Sequence, residues 1–133
     1  KKEKDAYRTS TGRMILACME YKEQREFIRK YGLPEPEVWN GVEDEDDLIT
    51  ELNKIRKKQL AIQVSKVQIV GLAVPIFIDD KIIASVGIYL PQSRYTPAMQ
   101  ETTLEELRKT GELINKKINN KILNTNILEN ENN

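Results

Sequence analysis

The longest apolar stretch of the chain lies between Gln68 and Leu90, where the sequence reads QIVGLAVPIFIDDKIIASVGIYL. Two runs rich in β-branched and aromatic residues flank the polar segment Asp79-Asp80-Lys81. This pattern is typical of two antiparallel strands joined by a tight turn. We therefore predict a β-hairpin around which the rest of the domain packs.

Two registers of this hairpin are compatible with the sequence. A two-residue loop at Asp79-Asp80 pairs Ile78 with Lys81 and gives two mixed faces. A three-residue loop, Asp79 to Lys81, pairs Ile78 with Ile82 and separates bulky from small side chains. We expect the three-residue loop, because matching one sheet face to one core usually outweighs a single turn preference. Lys81 would then need a backbone conformation that normally belongs to Gly or Asn.

The two faces of the hairpin differ in size in this register. One face carries the bulky aliphatic residues Val70, Leu72, Val74, Ile76, Ile78, Ile82, Ala84, Val86, Ile88 and Leu90. The other face carries small groups that end in aromatics, namely Gly71, Ala73, Pro75, Phe77, Ile83, Ser85, Gly87 and Tyr89. Helices should cover the bulky face. The small face either allows close approach of another backbone or forms one wall of a ligand cavity.

Apolar residues at helical spacing predict four helices around the hairpin. We expect them at Met14–Met19, Glu20–Tyr31, Glu43–Lys58 and Pro97–Leu123. A short strand at Leu60–Val64 should add to the hairpin, so the predicted fold class is α+β, a two-layer antiparallel sheet with helices packed on one face. Pro75 has no backbone donor, so its strand should be an edge there or carry a bulge.

Three hydroxyl residues, Thr9, Ser10 and Thr11, precede the first predicted helix. Such hydroxyls accept hydrogen bonds from the first free helical amides and act as an N-cap. The same amides, with adjacent hydroxyls, can instead hold a carboxylate or a phosphate. We favour the plain cap and keep the anion site as the alternative.

Composition argues against several function classes. The 133 residues include 21 basic and 21 acidic residues, no His and one Cys, so the chain has no global attraction to nucleic acid. Without His there is no imidazole base and no Cys/His metal cluster. Cys18 lies in the apolar run MILACM and is expected to be a buried hydrophobe. We therefore predict no catalytic residues, no metal, no cofactor and no enzymatic activity. A single Cys fits a cytoplasmic setting, and no apolar run reaches membrane-spanning length.

An ordered set of landmarks then points to a family. They are Thr9–Arg13 before the first helix, Arg29–Pro34 at a helix end, Leu48–Lys58, Leu72–Phe77 on a strand, and Pro91–Thr96 after the next strand. In this order and spacing the chain resembles the effector-binding domain of IclR-family bacterial transcriptional regulators, over about Tyr7 to Ile122. The resemblance implies a GAF-like or PAS-like domain. We expect it to span residues 1–123, to lack its first strands, and to be followed by a disordered Asn-rich tail, residues 124–133.

The resemblance also implies a ligand site. The positions that bind small carboxylates in the family correspond here to Ser10, Thr11, Gln63, Gly71, Gly87 and Tyr89. The family's acid, Cys and two Ser are replaced at the last four of these positions, so the effector class should differ. Tyr89 would also fill part of the pocket.

These expectations give a leading function and an alternative. The leading hypothesis is a small-molecule effector domain, whose ligand is an organic acid or an aromatic metabolite. It would assemble as a homodimer or homotetramer in the cytoplasm and would contact DNA only through a winged helix-turn-helix absent from this chain. The alternative is a ligand-free assembly domain with a vestigial pocket. A GAF-like enzyme has little support.

Overall fold

The structure, a computed structural model, describes residues 4–132 of the chain. Its helices and strands are a 3₁₀ helix at Lys4–Arg8, α1 at Ser10–Cys18, α2 at Tyr21–Tyr31, α3 at Glu45–Lys58, β1 at Ala61–Val64, β2 at Ile69–Ile78, β3 at Lys81–Pro91, a 3₁₀ turn at Gln92–Arg94 and α4 at Pro97–Asn132. Residues 1–3 and 133, at the two ends of the predicted domain and tail, lie outside the described residues.

The three strands form one antiparallel sheet in the order β1-β2-β3, with β2, the first strand of the hairpin, at its centre. The turn has two residues, because Ile78 pairs with Lys81, so the three-residue loop was wrong. Asp79 and Asp80 both adopt positive φ, at 49° and 64°, as a type I′ turn requires, whereas Lys81 does not. Type I′ turns match the twist of the flanking strands, and this preference decides the loop.

The predicted register nevertheless holds over most of the hairpin, because β3 contains a bulge. Phe77 pairs with Ile82 and Ile76 pairs with Ala84, so Ile83 is the extra residue. Beyond the bulge, the pairs follow the predicted register as far as Ile69 with Pro91. Ile82 is the exception, since it packs with Phe77 on the small face rather than on the bulky one.

Helices cover both faces of the sheet. On the bulky face, Leu107 of α4 packs in one cluster with Leu60, Val70, Leu72 and Val74. On the small face, α1 supplies Met14 and Cys18, which pack with Ala61 and Ala73. The α+β class is confirmed, but the helices are not restricted to one face, because small residues let α1 approach the sheet closely. We call the two sides the α4 face and the α1 face.

A third cluster lies behind α1 and joins it to α3 and the preceding 3₁₀ helix. Its buried members are Tyr7, Leu16, Ala17, Trp39, Val42, Leu48 and Leu52. Trp39 thus anchors the connector between α2 and α3 to the core. This cluster fixes the position of α1, and therefore of its N-terminus against the sheet.

Helix α4 continues well beyond its predicted end. It spans 36 residues to Asn132, so the segment expected to be a disordered tail is helical as far as it is described. After Gly111 the sequence contains no Gly or Pro to end the helix, and Ile127 and Leu128 continue its apolar content. Within the described residues, no helix combines the length and apolar character needed to cross a membrane.

Candidate functional site

The six residues predicted to bind a ligand converge on the α1 face. Gln63 on β1 pairs with Gly71 on β2, which pairs with Tyr89 on β3, so the three form one row across the sheet. Gly87 lies two residues from Tyr89 on the same face, because strand side chains alternate. Ser10 and Thr11, at the start of α1, lie against Gly71 and Gly87.

Ser10 joins the N-terminus of α1 to the central strand. It is buried, and its hydroxyl donates a hydrogen bond of 2.7 Å to the Gly71 carbonyl. Gly71 permits this approach, since a Cβ there would lie 2.9 Å from Cε1 of Tyr89 and 3.1 Å from Oγ of Ser10. Any larger residue at this position would displace the Tyr89 ring or the Ser10 hydroxyl.

Thr11 joins the same helix end to β3. A Cβ at Gly87 would lie 2.5 Å from Cγ2 of Thr11, so the threonine methyl occupies the space above the glycine. The Ser85 hydroxyl donates a 2.8 Å hydrogen bond to the Thr11 carbonyl. Of the two interpretations of the small face, close approach of a backbone therefore describes the contacts at Gly87.

The hydroxyls at the start of α1 are largely used within the protein. The side chain of Thr9 is the N-cap and accepts a 3.0 Å hydrogen bond from the Gly12 amide. Thr11 donates a longer bond of 3.4 Å to the Thr9 hydroxyl. The plain cap thus accounts for Thr9, while Ser10 serves the contact between helix and strand.

The six residues differ in their access to solvent. Tyr89 is 56% exposed, although one edge of its ring packs on Gly71. Gln63 is half-buried and lines a cleft of about 650 Å³ between β1 and the connector after α2. We call it the Trp39 cleft, and its other walls include Arg8, Arg13, Trp39 and Lys66. Its volume lies in the range of small-molecule sites.

Arg13 is a buried cation in the wall of the Trp39 cleft. Its Nε donates to the Tyr7 carbonyl at 2.7 Å, its Nη2 donates to the Val38 carbonyl at 2.8 Å, and its guanidinium lies 3.8 Å from the centre of the Trp39 ring. Burial lowers the pKa of Arg13 to about 10, and the negative charge of Glu51 opposes this shift. Arg13 is not among the predicted ligand-site residues, although a charged residue directly before the apolar run Met14–Met19 was a usable signal.

The remaining candidate for chemistry, Cys18, is structural. It is buried, its thiol donates to the Met14 sulfur at 3.7 Å, and burial raises its pKa. A thiol with a raised pKa is a poor nucleophile. Among residues 4–132 there is also no group of three or more His, Cys, Asp or Glu that could hold a metal ion. The site offers hydrogen bonds and apolar contact rather than acid–base chemistry.

Comparison with known families gives one match over most of the chain. The family described as "Bacterial transcriptional regulator IclR C-terminal" matches residues 2–116. No curated protein sequence matches the chain.

Solved structures of transcriptional regulators are similar in fold. The inducer-binding domain of a double mutant of the PobR transcription factor from Acinetobacter, in complex with 3-hydroxybenzoic acid, is 25% identical with a TM-score of 0.69 over 83% of this chain and 65% of its own. A regulator from Rhodococcus sp. RHA1 is 22% identical, with a TM-score of 0.75 over 86% of this chain and 48% of its own. The C-terminal domain of E. coli KdgR is 17% identical, with a TM-score of 0.73 over 86% of this chain and 71% of its own. The chain thus spans about half to two thirds of most of these structures.

Proposed function

Because the chain belongs to the IclR family of bacterial transcriptional regulators, we propose that it is the part of such a regulator that binds a small-molecule effector. The observation that carries this proposal is the convergence of the six predicted residues at one place on the α1 face. Gln63, Gly71 and Tyr89 form a row across the three strands, and α1 begins directly above them. The family is one of transcriptional regulators rather than enzymes.

The effector that suits this site is an aromatic or other weakly polar acid. The contacts to Gly71 and Gly87 leave little room between the sheet and α1, so a ligand would enter beside Gln63 or displace the Tyr89 ring. Tyr89 offers an aromatic surface and the Gln63 amide can hydrogen-bond a carboxylate. The PobR domain in its complex with 3-hydroxybenzoic acid supports an aromatic acid as the first class to test.

The same contacts provide a route from ligand binding to regulation. The start of α1 is bonded to β2 through Ser10 and to β3 through Ser85, so a ligand between them would change the position of α1 against the sheet. A ligand that prefers one of two such positions shifts their populations. The regulator would transmit this shift as a homodimer or homotetramer to a separate DNA-binding domain, in the cytoplasm.

Calorimetric titration against a panel of aromatic and aliphatic carboxylates tests this proposal. We expect at least one aromatic acid to bind, and Gln63→Ala to weaken its binding about tenfold through loss of a hydrogen bond to a charged group. The effect of Tyr89→Ala on acid binding is compared with that of Tyr21→Ala. Tyr21 is a matched control, because both tyrosines are 56% exposed and Tyr21 lies on α2, away from the site. Binding that responds equally to both tyrosine variants, or no binding of any acid, would contradict the proposal.

The close packing at Gly71 and Gly87 favours a second candidate, a ligand-free assembly domain. A Cβ at either glycine would collide with a neighbouring side chain, at 2.9 Å for Gly71 and 2.5 Å for Gly87, as in a filled site. Acid binding, measured together with sedimentation of the regulator, separates the two functions, because the effector domain is also proposed to be an oligomer. An assembly domain keeps its oligomeric state in Tyr89→Ala and binds no acid from the panel.

A further inference from the structure

A groove at the open edge of the sheet lies away from the proposed effector site. Strand β1 pairs with β2 only from Val64–Val70 to Ala61–Ala73, while β2 continues to Ile78. The edge of β2 beyond Ala73 therefore has no neighbouring strand on that side. A cavity of about 440 Å³ lies here between β2 and α4.

The backbone of this open edge is not available to another strand. Alternate residues of a strand point their backbone groups to the same side. After Ala73, the residues of β2 whose backbone groups point to the open side are therefore Pro75 and Phe77. Pro75 has no N–H. The Phe77 N–H donates to Oδ1 of Asn115 at 2.9 Å, and Nδ2 of Asn119 donates to the Phe77 carbonyl at 3.4 Å. Side chains of α4 thus take the place of a strand, which protects the edge against pairing.

The groove that remains has the chemistry of a small-molecule site. Its sheet side is apolar, formed by Val74, Pro75 and Phe77. Its helix side carries Arg108, Glu112 and Lys116, spaced by four residues and therefore aligned along α4. Its volume falls in the range of ligand pockets, whereas the blocked backbone argues against an extended peptide.

The charges of the rim indicate the sign of the ligand. Arg108 and Lys116 are exposed, and among residues 4–132 neither has an ion-pair partner. With Glu112 between them, the rim carries a net positive charge. Gly111 lets α4 lie close to the sheet at this point, since a Cβ there would be 2.8 Å from Cγ2 of Val74.

We propose that this edge groove, formed by Val74, Pro75, Phe77, Arg108, Glu112 and Lys116, binds a small apolar molecule that carries an acidic group. The apolar part of the ligand packs on Pro75 and Phe77, and the acidic group lies between Arg108 and Lys116. The ligand would join α4 to β2. It would be a second ligand of the domain, independent of the effector on the α1 face.

The test uses 8-anilinonaphthalene-1-sulfonate as the probe, because it combines an aromatic body with an anionic group. Fluorescence titration of the full chain should give saturable binding. The double variant Arg108→Ala with Lys116→Ala should weaken binding about three- to tenfold, as expected for two exposed charge pairs. The matched control is Lys117→Ala with Lys121→Ala, which removes two exposed cations of the same helix that do not line the groove.

A filling variant and a structural readout complete the test. Glu112→Trp places a large side chain at an exposed position of the groove and should abolish probe binding, while circular dichroism reports that the fold is kept. Amide chemical shifts of Phe77 and Asn115 should move on titration of the native chain. Equal weakening in both double variants, shifts confined to Ser10 and Gly71, or absence of saturable binding would overturn the proposal.

Discussion

At the scale of single residues, Ser10 has the clearest structural role in the site. Its buried hydroxyl donates a hydrogen bond to the Gly71 carbonyl, and this bond joins α1 to the central strand β2. We expect Ser10→Ala to lower the free energy of unfolding by about 1 kcal/mol, the usual value of one such bond. Urea denaturation measures this change, with the exposed Ser93→Ala as control. A loss equal to that of the control would mean that the bond does not stabilise the fold.

Tyr7 provides a pH-dependent contribution to stability. Its hydroxyl donates a 2.6 Å hydrogen bond to the Gly32 carbonyl, and burial raises its pKa from 10.0 to about 12. The unfolded chain therefore loses this proton at lower pH than the folded one. The stabilisation is fully present below pH 10 and is lost as the pH rises towards 12. We expect a loss of about 2 kcal/mol over this interval.

Tyr7→Phe isolates this effect, because the two proteins differ only in the hydroxyl of this side chain. Below pH 10 the variant should be about 1 kcal/mol less stable, since the bond to Gly32 is absent. Above that pH the difference should shrink and then reverse. Denaturation curves measured from pH 9 to pH 12 on both proteins, about one unit apart, give the comparison. A constant difference would contradict the raised pKa of Tyr7.

Residues such as Ser10 and Arg13 show which parts of the site a sequence can indicate. The family resemblance implies the six ligand-site positions, and the structure places them close together. The bond from Ser10 to Gly71 joins residues that are 61 positions apart, so no local pattern contains it. The buried position of Arg13 depends on the nearby Tyr7 carbonyl and on the Val38 carbonyl, 25 positions away, which becomes a partner only when the connector after α2 folds over α1.

At the scale of elements, the hairpin turn stores backbone strain that a substitution can relieve. Asp79 and Asp80 both have positive φ, which costs a residue with a Cβ about 1 kcal/mol or more. We expect Asp80→Gly to raise the free energy of unfolding by about 0.5–1 kcal/mol. Asp80→Ala removes the same charge without allowing the conformation, so it should not stabilise. Equal thermal midpoints for the two variants would show that charge, not φ, limits the turn.

The same turn explains why the register was predicted and the loop was not. Separation of bulky from small side chains favours one pairing over eight residues, from Ile69 to Ile76, and that pairing is observed. The turn obeys a different preference, for two residues with matching twist. A bulge at Ile83 reconciles the two, and a bulge leaves no mark in a run of alternating apolar residues.

Asn115 determines how the open edge of β2 is protected. Its Oδ1 accepts from the Phe77 amide, so Asn115→Ala leaves a partly buried donor without its partner. We expect a loss of about 1–2 kcal/mol in the free energy of unfolding. Asn119→Ala should cost less, because its bond to Phe77 is 3.4 Å long. Asn120→Ala is the control on the exposed side of α4. Equal losses of stability in Asn115→Ala and Asn120→Ala would contradict the role of Asn115 in protecting the edge of β2.

At the scale of the whole molecule, the sheet separates the two proposed ligand sites. The α1 face carries the proposed effector site, and the α4 face and open edge carry the second groove. Small residues were expected to mark a cavity wall or a close approach, and the contacts at Gly87 are of the second kind. Whether small residues form a cavity wall or a close contact depends on the distance between α1 and the sheet. The cluster of Tyr7, Trp39 and Leu48 behind α1 sets that distance.

The last turns of α4 bear on the C-terminal boundary of the domain, which was predicted at residue 123. The helix continues to Asn132, yet all residues from 124 to 131 are exposed, so they bury no apolar surface in the domain. We expect deletion of residues 124–133 to change the free energy of unfolding by less than about 0.5 kcal/mol, as surface changes usually do. Far-UV circular dichroism should fall by the contribution of the lost helical turns. A larger loss of stability would place the boundary beyond the predicted residue 123. A concentration-dependent unfolding midpoint of the intact chain would then show whether Ile127 and Leu128 contact a partner.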